Sequence, residues 1–276
     1  MKEFSHSSDL PFPERRKSRL SKGVALFPSM LTAAAMFAGF YSIIYTLNEV
    51  LEGRNDFRPA VYAILTATLL DSLDGRMARL MKVESDFGSH FDSIADMVSF
   101  GVAPAVFAYC VGLSKLGRLG WLGAFLYLAC AAIRLARFNV LAAEGQSKKY
   151  FKGMSSPVAA AGLCVFAILL RDFDTGLLYQ IGLLLMTGLV AFLMISNVRF
   201  RSFKDLDFRN YPLQYFLGVM AIVMLIVIYH EIALFGLFVI YLLSGLIEEY
   251  ILFRRRRKSD PSVPFLPFGD REDRSG

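Results

Sequence analysis

The sequence has few of the charged residues that a soluble enzyme of its size carries, since only 20% of its 276 residues are charged. It also contains only three cysteines, three histidines and one tryptophan. Cys110, Cys130 and Cys164 stand singly within apolar stretches, which excludes a cysteine metal site and a disulfide framework. We therefore expect buried, unreactive thiols. The histidines show no pairing, and His90 is interpreted as a bystander near the candidate site described below.

Apolar residues are abundant instead, at 55% of the chain, with 25 phenylalanines and a mean hydropathy of +0.47. A membrane-spanning helix needs roughly 20 apolar residues, and in lipid such segments must be helical to satisfy their backbone groups. The sequence therefore predicts an all-α, polytopic transmembrane helix bundle with about eight spans. The predicted spans are 24–47, 57–80, 88–113, 120–141, 157–170, 176–197, 213–229 and 232–252, of which the fifth is short.

The basic residues indicate the orientation of these spans. The formal net charge is +6, but the basic residues flank the apolar segments, which favours anionic lipid headgroups over nucleic acid as partners. One side of the membrane receives the basic residues of 1–22, 76–82, 148–152, 199–209 and 254–258. The other side receives only Arg54, Arg58, Lys115, Arg118 and Arg171. Cytoplasmic loops are enriched in Lys and Arg, so both termini are predicted to be cytoplasmic.

Three regions follow from this pattern. Residues 1–22 form a basic cytoplasmic segment, and the apolar stretch after it is too long for a signal peptide. Residues 23–253 form the transmembrane domain, and 254–276 form a basic, flexible cytoplasmic tail. We find no internal sequence repeat, so an inverted-repeat transporter receives no support.

Four aspartates lie in the stretch DSLDGRMARLMKVESDFGSHFDSIAD. Asp71 and Asp74 are three residues apart and share one helix face, while Asp92 and Asp96 are four apart and share a face of the next helix. The polar turn between the helices lets the two pairs converge. Four neighbouring carboxylates repel one another unless cations neutralise them, and Mg²⁺ prefers oxygen ligands. The alternative is that these aspartates are solvated or ion-paired residues at a membrane boundary. That alternative is more plausible for one aspartate than for four.

Small residues and one arginine accompany these acids. Gly75 and Ala78 lie near the face that carries Asp71 and Asp74, so a bulky ligand can approach the backbone there. Arg79 supplies a fork-shaped donor suited to phosphate. Metal ions held by the aspartates, together with the positive charge of Arg79, would form a site for a diphosphate.

The spacing D-x2-D-G-x2-A-R-x8-G-x3-D-x3-D resembles the signature of the CDP-alcohol phosphatidyltransferases at every fixed position. The resemblance implies a six-helix transmembrane core, often dimeric, whose Mg²⁺ or Mn²⁺ site opens to the cytoplasm. It also implies that Asp71, Asp74, Asp92 and Asp96 ligate the metals and that Asp96 deprotonates the acceptor alcohol. The CDP-lipid would be contacted by Ser29, Thr32, Asp71, Gly75, Arg79 and Ser85.

Further stretches resemble the branch of the family that uses serine, the phosphatidylserine synthases. They are PSMLT at 28–32, DSIADMVSFGVAPA at 92–105, AIRLARFNV at 132–140 and FKGMSSPVAAA at 151–161. This chain departs from the usual family pattern at Ser29, where Asn is common, and at Ser155, where Pro is common. Ser29 keeps a hydrogen-bonding group, whereas Ser155 alters a cytoplasmic turn near the acceptor pocket.

The residues themselves are compatible with serine as the acceptor. Arg134 and Arg137 are three residues apart at the cytoplasmic end of the fourth span, where an arginine can bind a carboxylate through two hydrogen bonds. Asn139 and Lys152 complete the predicted acceptor pocket. The alternative for the arginines is that they extend to lipid phosphates.

The predicted reaction is a single displacement in which Asp96 takes the proton of the serine hydroxyl, the oxygen attacks the phosphorus of CDP-diacylglycerol, and CMP leaves. The predicted partners are CDP-diacylglycerol, L-serine, the bilayer and a second copy of the chain. Two alternatives stay open: another acceptor, such as inositol phosphate or glycerol 3-phosphate, and a cation transporter that uses the aspartates as a pathway.

Overall fold

The computed structural model describes residues 20–81, 86–143, 151–172, 175–196, 198–200 and 230–259. Within them the chain is helical apart from one pair of two-residue strands. The helices are α1 (Leu20–Glu52), α2 (Arg58–Met81), α3 (Asp86–Asp96), α4 (Ala103–Val111), α5 (Arg118–Ala143), α6 (Ser156–Arg171), α7 (Leu177–Ile195) and α8 (His230–Ser259). The predicted all-α fold is confirmed.

Four described segments are long and apolar enough to cross a membrane: Pro28–Glu52, Phe87–Val111, Arg118–Leu141 and Leu177–Ile195. The predicted spans at 57–80, 157–170 and 232–252 also form helices, α2, α6 and α8. The predicted span at 213–229 lies outside the described residues. The chain is therefore a helical membrane protein, while the number of eight spans stays a prediction.

The first two helices form the most extensive helix pair among the described elements. The turn between them contains Gly53 and Asn55, which both have positive φ angles. At this turn the buried Glu49 carboxylate accepts hydrogen bonds from Arg54 Nε at 3.1 Å and from the Asp56 backbone N–H at 2.8 Å. These contacts fix α1 beside α2 and thereby bring Thr32 of α1 close to the aspartates of α2.

The third predicted span is not a continuous α-helix. A π-helical segment, Met97–Val102, joins α3 to α4 directly after Asp96. Its Phe100 carbonyl accepts a hydrogen bond from the buried Tyr127 hydroxyl at 3.0 Å, and Ser99 Oγ donates to the Ala35 carbonyl of α1 at 3.1 Å. A π turn holds an extra residue, so the residues before it face a different direction from those after it. The aspartates of α3 can therefore face α2 while α4 packs into the core.

The hydrophobic core lies between α2, α4, α5, α6 and α7 and includes Phe57, Phe107, Tyr127 and Leu163. All three cysteines are free thiols; Cys130 and Cys164 are buried, as the sequence predicts, whereas Cys110 is only half-buried. Strand β1 (Phe151–Lys152) pairs antiparallel with β2 (Arg199–Phe200). This pairing ties the start of α6 to the end of α7. Helix α8 packs against α6 and β2 and continues through the basic residues Arg254–Lys258.

Candidate active site

Three of the four aspartates form one carboxylate cluster. Oxygen atoms of Asp71 and Asp74 on α2 and of Asp92 on α3 all lie within 4.8 Å of one another. Asp74 is buried, and the other two side chains are half-buried. Three carboxylates this close repel one another in a poorly solvated site, and oxygen donors are the ligands that Mg²⁺ and Mn²⁺ prefer. The residues therefore fit a hard divalent cation.

The fourth aspartate stands beside this cluster. The Asp96 carboxyl lies one turn after Asp92 and is within hydrogen-bonding reach of the Asp71 carboxyl. The sequence predicts that all four aspartates converge, and the structure brings them together. It also distinguishes Asp96, which does not belong to the three-residue cluster. The roles of the individual aspartates stay predictions.

Thr32 links α1 to this cluster. Its hydroxyl lies 2.7 Å from Asp74 Oδ2 and 3.1 Å from the Pro28 carbonyl oxygen of its own helix. Both Thr32 and Asp74 are buried, so the hydrogen bond to Asp74 fixes the orientation of that carboxylate. The sequence predicts Thr32 as a contact of the CDP-lipid, and the structure adds a direct contact with a predicted metal ligand.

Gly75 lies beside open space. Apart from its chain neighbours and its own helix backbone, a Cβ atom built at this position meets no atom of the described side chains or other elements within 4 Å, and the residue is exposed. Because Asp71 lies four residues before Gly75 on the same helix, the open side of α2 adjoins the carboxylates. This arrangement allows a ligand to approach the helix backbone next to the candidate metal site. Ser29 lies one turn before Thr32 on α1, while Ser85 and the side chain of Arg79 lie outside the described part of the chain.

Arg134 of α5 connects the aspartates to the start of α6. Its Nε donates to the Met154 carbonyl at 2.6 Å, and its Nη1 donates to Ser156 Oγ at 2.7 Å. The guanidinium is also close enough to Asp71 and Asp96 to attract both carboxylates. Among the described contacts, Nη2 has no protein hydrogen bond. These hydrogen bonds therefore hold the positively charged Arg134 side chain in place at the edge of the carboxylate site.

The other predicted acceptor residues contact neighbouring helices. Asn139 exchanges hydrogen bonds with Ser93, because Ser93 Oγ lies 3.2 Å from Asn139 Oδ1 and 3.0 Å from Asn139 Nδ2. Ser93 follows Asp92, so this pair fixes α3 against α5. Arg137 Nη1 donates to the Ile195 carbonyl at 3.4 Å. The side chain of Lys152 lies outside the described residues, and the predicted acceptor roles stay predictions.

Sequence reasoning missed Ser93, Met154 and Ser156 as residues that support the site. Their contacts join residues that are 46, 20 and 22 positions apart in the sequence. No spacing within a single segment predicts such contacts. The only sequence signal was that each lies inside a stretch that resembles the serine-using enzymes. That resemblance marks segments, whereas the structure identifies the atoms that touch.

A partly buried carboxylate cluster between two helices of a membrane protein, with a cation beside it and open space along one helix, fits a divalent cation and an anionic ligand. A family model described as CDP-alcohol phosphatidyltransferase matches residues 25–196. The chain therefore belongs to the CDP-alcohol phosphatidyltransferase family.

Curated relatives carry a more specific name, CDP-diacylglycerol–serine O-phosphatidyltransferase. One from Helicobacter pylori is 36% identical over 231 residues, which cover 82% of this chain and 92% of the relative. One from Bacillus subtilis is 35% identical over 177 residues, which cover 64% of this chain and 90% of the relative. One from Saccharomyces cerevisiae is 41% identical over 133 residues, or 45% of this chain and 47% of the relative.

Proposed function

We propose that this protein transfers the phosphatidyl group of CDP-diacylglycerol to L-serine and releases CMP. The observation that carries the proposal is the carboxylate cluster of Asp71, Asp74 and Asp92 with Asp96 beside it. The family membership supports a CDP-activated lipid as donor. The name shared by the relatives favours serine over inositol phosphate and glycerol 3-phosphate as acceptor.

The cluster would hold Mg²⁺ or Mn²⁺ through Asp71, Asp74 and Asp92, with Asp96 as a further ligand. When bound, the metal neutralises phosphate charge and stabilises the charge that develops as the phosphorus is attacked. Thr32 keeps the Asp74 carboxylate oriented. Gly75 leaves room for the CDP-lipid along α2, and Ser29, Thr32, Asp71, Arg79 and Ser85 are the further contacts we propose for it.

Asp96 is the proposed general base. It takes the proton from the serine hydroxyl as the serine oxygen forms a bond to the phosphorus that carries the lipid. The bond from that phosphorus to the CMP oxygen breaks, and CMP leaves with the electron pair. An aspartate carboxylate is a weak base near neutral pH. Holding serine close to the phosphorus must therefore supply much of the rate.

Arg134 is the proposed partner of the serine carboxylate, because its position is fixed by α6 and it lies beside Asp96. Arg137, Asn139 and Lys152 complete the proposed acceptor pocket. Asn139 would also act indirectly, since it holds Ser93 next to Asp92. Arg134 and Asp96 attract each other. A serine carboxylate bound at Arg134 would therefore lie a short distance from the group that takes the proton of the serine hydroxyl.

We further propose that both termini and the site face the cytoplasm, that the protein resides in the cell membrane, and that it forms a homodimer. The orientation follows from the excess of Lys and Arg on one side of the spans. The dimer follows from the resemblance to the family. Residues 1–22, 23–253 and 254–276 are the proposed basic segment, catalytic domain and basic tail.

The test supplies the purified protein with CDP-diacylglycerol in mixed micelles, Mg²⁺ or Mn²⁺, and labelled serine, glycerol 3-phosphate or inositol phosphate in turn. We expect CMP release that depends on serine and on the metal, and that stops when a chelator is added. CMP release with another acceptor but not with serine would contradict the serine assignment. Cation flux into liposomes without CMP production would instead favour a transporter.

The role of Asp96 has a matched control in the same chain. Asp96→Asn removes the base and is expected to lower kcat by about 10²-fold or more. Asp172→Asn makes the same chemical change at a carboxylate that pairs with Arg58 at the other end of α2. We expect near-normal kcat in that variant. Equal kcat values for the two variants would exclude Asp96 as the base.

A further inference from the structure

The last described helix, α8, lies outside residues 25–196 that the family model matches, yet it packs closely on the catalytic core. A Cβ atom at Gly162 of α6 would lie 2.2 Å from the Phe238 ring of α8. The rings of Phe166 and Phe235 are 5.6 Å apart between centroids. These contacts fix both the rotation and the height of α8 relative to α6, because each involves a ring seated against the facing helix.

This fixed register brings Tyr241 of α8 to the start of α6. Tyr241 packs against the hydrophobic core, and its hydroxyl lies near the Ser155 side chain. The Tyr241 hydroxyl also lies near enough to the Arg134 guanidinium for the two groups to interact electrostatically. Ser155 immediately precedes Ser156, which is the acceptor for Arg134 Nη1. One side chain of α8 therefore contacts the segment that holds Arg134.

That segment, residues 151–156, is named here the acceptor loop. Its Gly153 N–H donates to the Val198 carbonyl at 2.9 Å, and its Met154 N–H donates to the Leu193 carbonyl at 3.0 Å. Gly153 has a φ angle of 88°, which disfavours any residue with a Cβ atom. The end of α7 thus holds one side of the acceptor loop, and Tyr241 holds the other side.

The acceptor loop in turn holds Arg134 through the Met154 carbonyl and Ser156 Oγ, both of which occupy guanidinium donors. A guanidinium is a planar fork, so a small rotation misaligns it with a bound carboxylate. A loss of the Ser155 anchor therefore changes the angle of Arg134 without removing any group that touches substrate.

We propose that Tyr241 is a positioning residue for the acceptor: through Ser155 it fixes the acceptor loop, and the loop holds Arg134 at the angle that receives the acceptor carboxylate. This inference rests on the proposed function, in which Arg134 binds serine. It assigns α8 a part in acceptor specificity, although α8 lies outside the part of the chain that the family model covers.

The test measures steady-state kinetics of the full-length protein with CDP-diacylglycerol and serine, together with its melting temperature. Tyr241→Phe and Ser155→Ala each remove one of the two hydroxyl groups of this contact and retain most of the packing. We expect each to raise the serine KM by about 3- to 10-fold, with an unchanged CDP-diacylglycerol KM. The double variant should be no worse than the poorer single variant, because both remove the same contact.

Tyr109→Phe is the control, since Tyr109 is an exposed tyrosine of α4, and its serine KM should equal that of the unaltered protein. A normal serine KM in Tyr241→Phe would overturn the inference. So would a lowered melting temperature and kcat with both KM values unchanged, since that pattern indicates packing alone. Absence of serine-dependent CMP release in the unaltered protein would overturn the proposed function itself, and this is measured before any variant.

Discussion

At the scale of single residues, two side chains outside the aspartate signature determine how the site is held. Thr32 orients the Asp74 carboxylate from α1, and Asn139 fixes Ser93, the neighbour of Asp92, from α5. Each contact restrains one of the helices that carry the proposed metal ligands. A ligand set that is held by its neighbours loses little entropy when a metal binds, and such supporting contacts commonly tune metal affinity.

Gly75 allows the open side of α2 to be tested without disturbing the fold. Gly75→Leu adds a side chain where the described residues leave open space around a built Cβ atom, and leucine favours a helix more than glycine does. We expect a melting temperature that is unchanged or higher. The CDP-diacylglycerol KM should rise by at least about tenfold, or about 1.4 kcal/mol, because the side chain occupies the space that we assign to the ligand.

Gly188→Leu is the control for this change, since Gly188 of α7 also has no atom within 4 Å of a built Cβ. Its KM for CDP-diacylglycerol should stay normal. An unchanged KM in Gly75→Leu would show that the CDP-lipid does not approach this face of α2.

At the scale of elements, the π segment Met97–Val102 is the feature that connects the site to the core. It follows Asp96 directly, and its contacts reach both α1, through Ser99 and Ala35, and α5, through Phe100 and Tyr127. The helix that carries Asp92 and Asp96 is therefore held in place by contacts with α1 and α5 directly after Asp96. Damage to these contacts should lower activity and stability together.

Gly39 provides the test of this element. A Cβ atom at Gly39 would lie 2.5 Å from Ser99 Oγ and 2.6 Å from Ser99 Cα, so Gly39→Ala forces α1 away from the π segment. We expect a loss of about 1–3 kcal/mol in the free energy of unfolding, measured by denaturant titration in detergent. The kcat should fall as well, because Ser99 lies three residues after Asp96.

The matched substitution Gly188→Ala adds a methyl group to an open helix surface and should leave both quantities near their normal values. If Gly39→Ala were as stable and as active as Gly188→Ala, the close packing of α1 on the π segment would not position the aspartates.

At the scale of the whole molecule, the two ends of the bundle have different chemistry. The end that carries the aspartates also carries Arg134 and the acceptor loop. At the other end, Arg58 pairs with Asp172 at 2.6 Å and with Glu231 at 2.7 Å, and Arg171 lies over the Phe57 ring at 4.5 Å. Within the described residues, these pairs connect α2, α6 and α8 at this end of the bundle. Exposed pairs contribute little stability individually, so their main effect is to set which helix ends meet.

The orientation of these ends in the membrane gives a direct prediction. Lys115→Cys and Arg76→Cys each introduce a thiol at an exposed position on opposite predicted sides. In sealed vesicles with the outer face outward, a membrane-impermeant maleimide should label the Lys115→Cys variant, and Arg76→Cys only after permeabilisation. The unaltered protein, whose thiols are buried or half-buried, measures the background. The reverse pattern would place the site outside the cell.

The sequence alone determined the helical class and the faces of the aspartates. Runs of apolar residues in lipid allow only helices or closed barrels, and the spacing of three or four residues places Asp71 with Asp74 and Asp92 with Asp96 on shared faces. These conclusions need only local geometry. The signature then adds the family, which the matched residues 25–196 confirm.

Only the tertiary structure decided which side chains meet across helices. It grouped Asp71, Asp74 and Asp92 with Asp96 beside them, inserted a π turn where the sequence predicts one continuous span, and gave Arg134 its partners on the acceptor loop. It also brought Tyr241 to Ser155, 86 positions earlier in the chain. Such contacts depend on how whole helices pack and rotate against one another, and no periodicity within a single segment encodes that rotation.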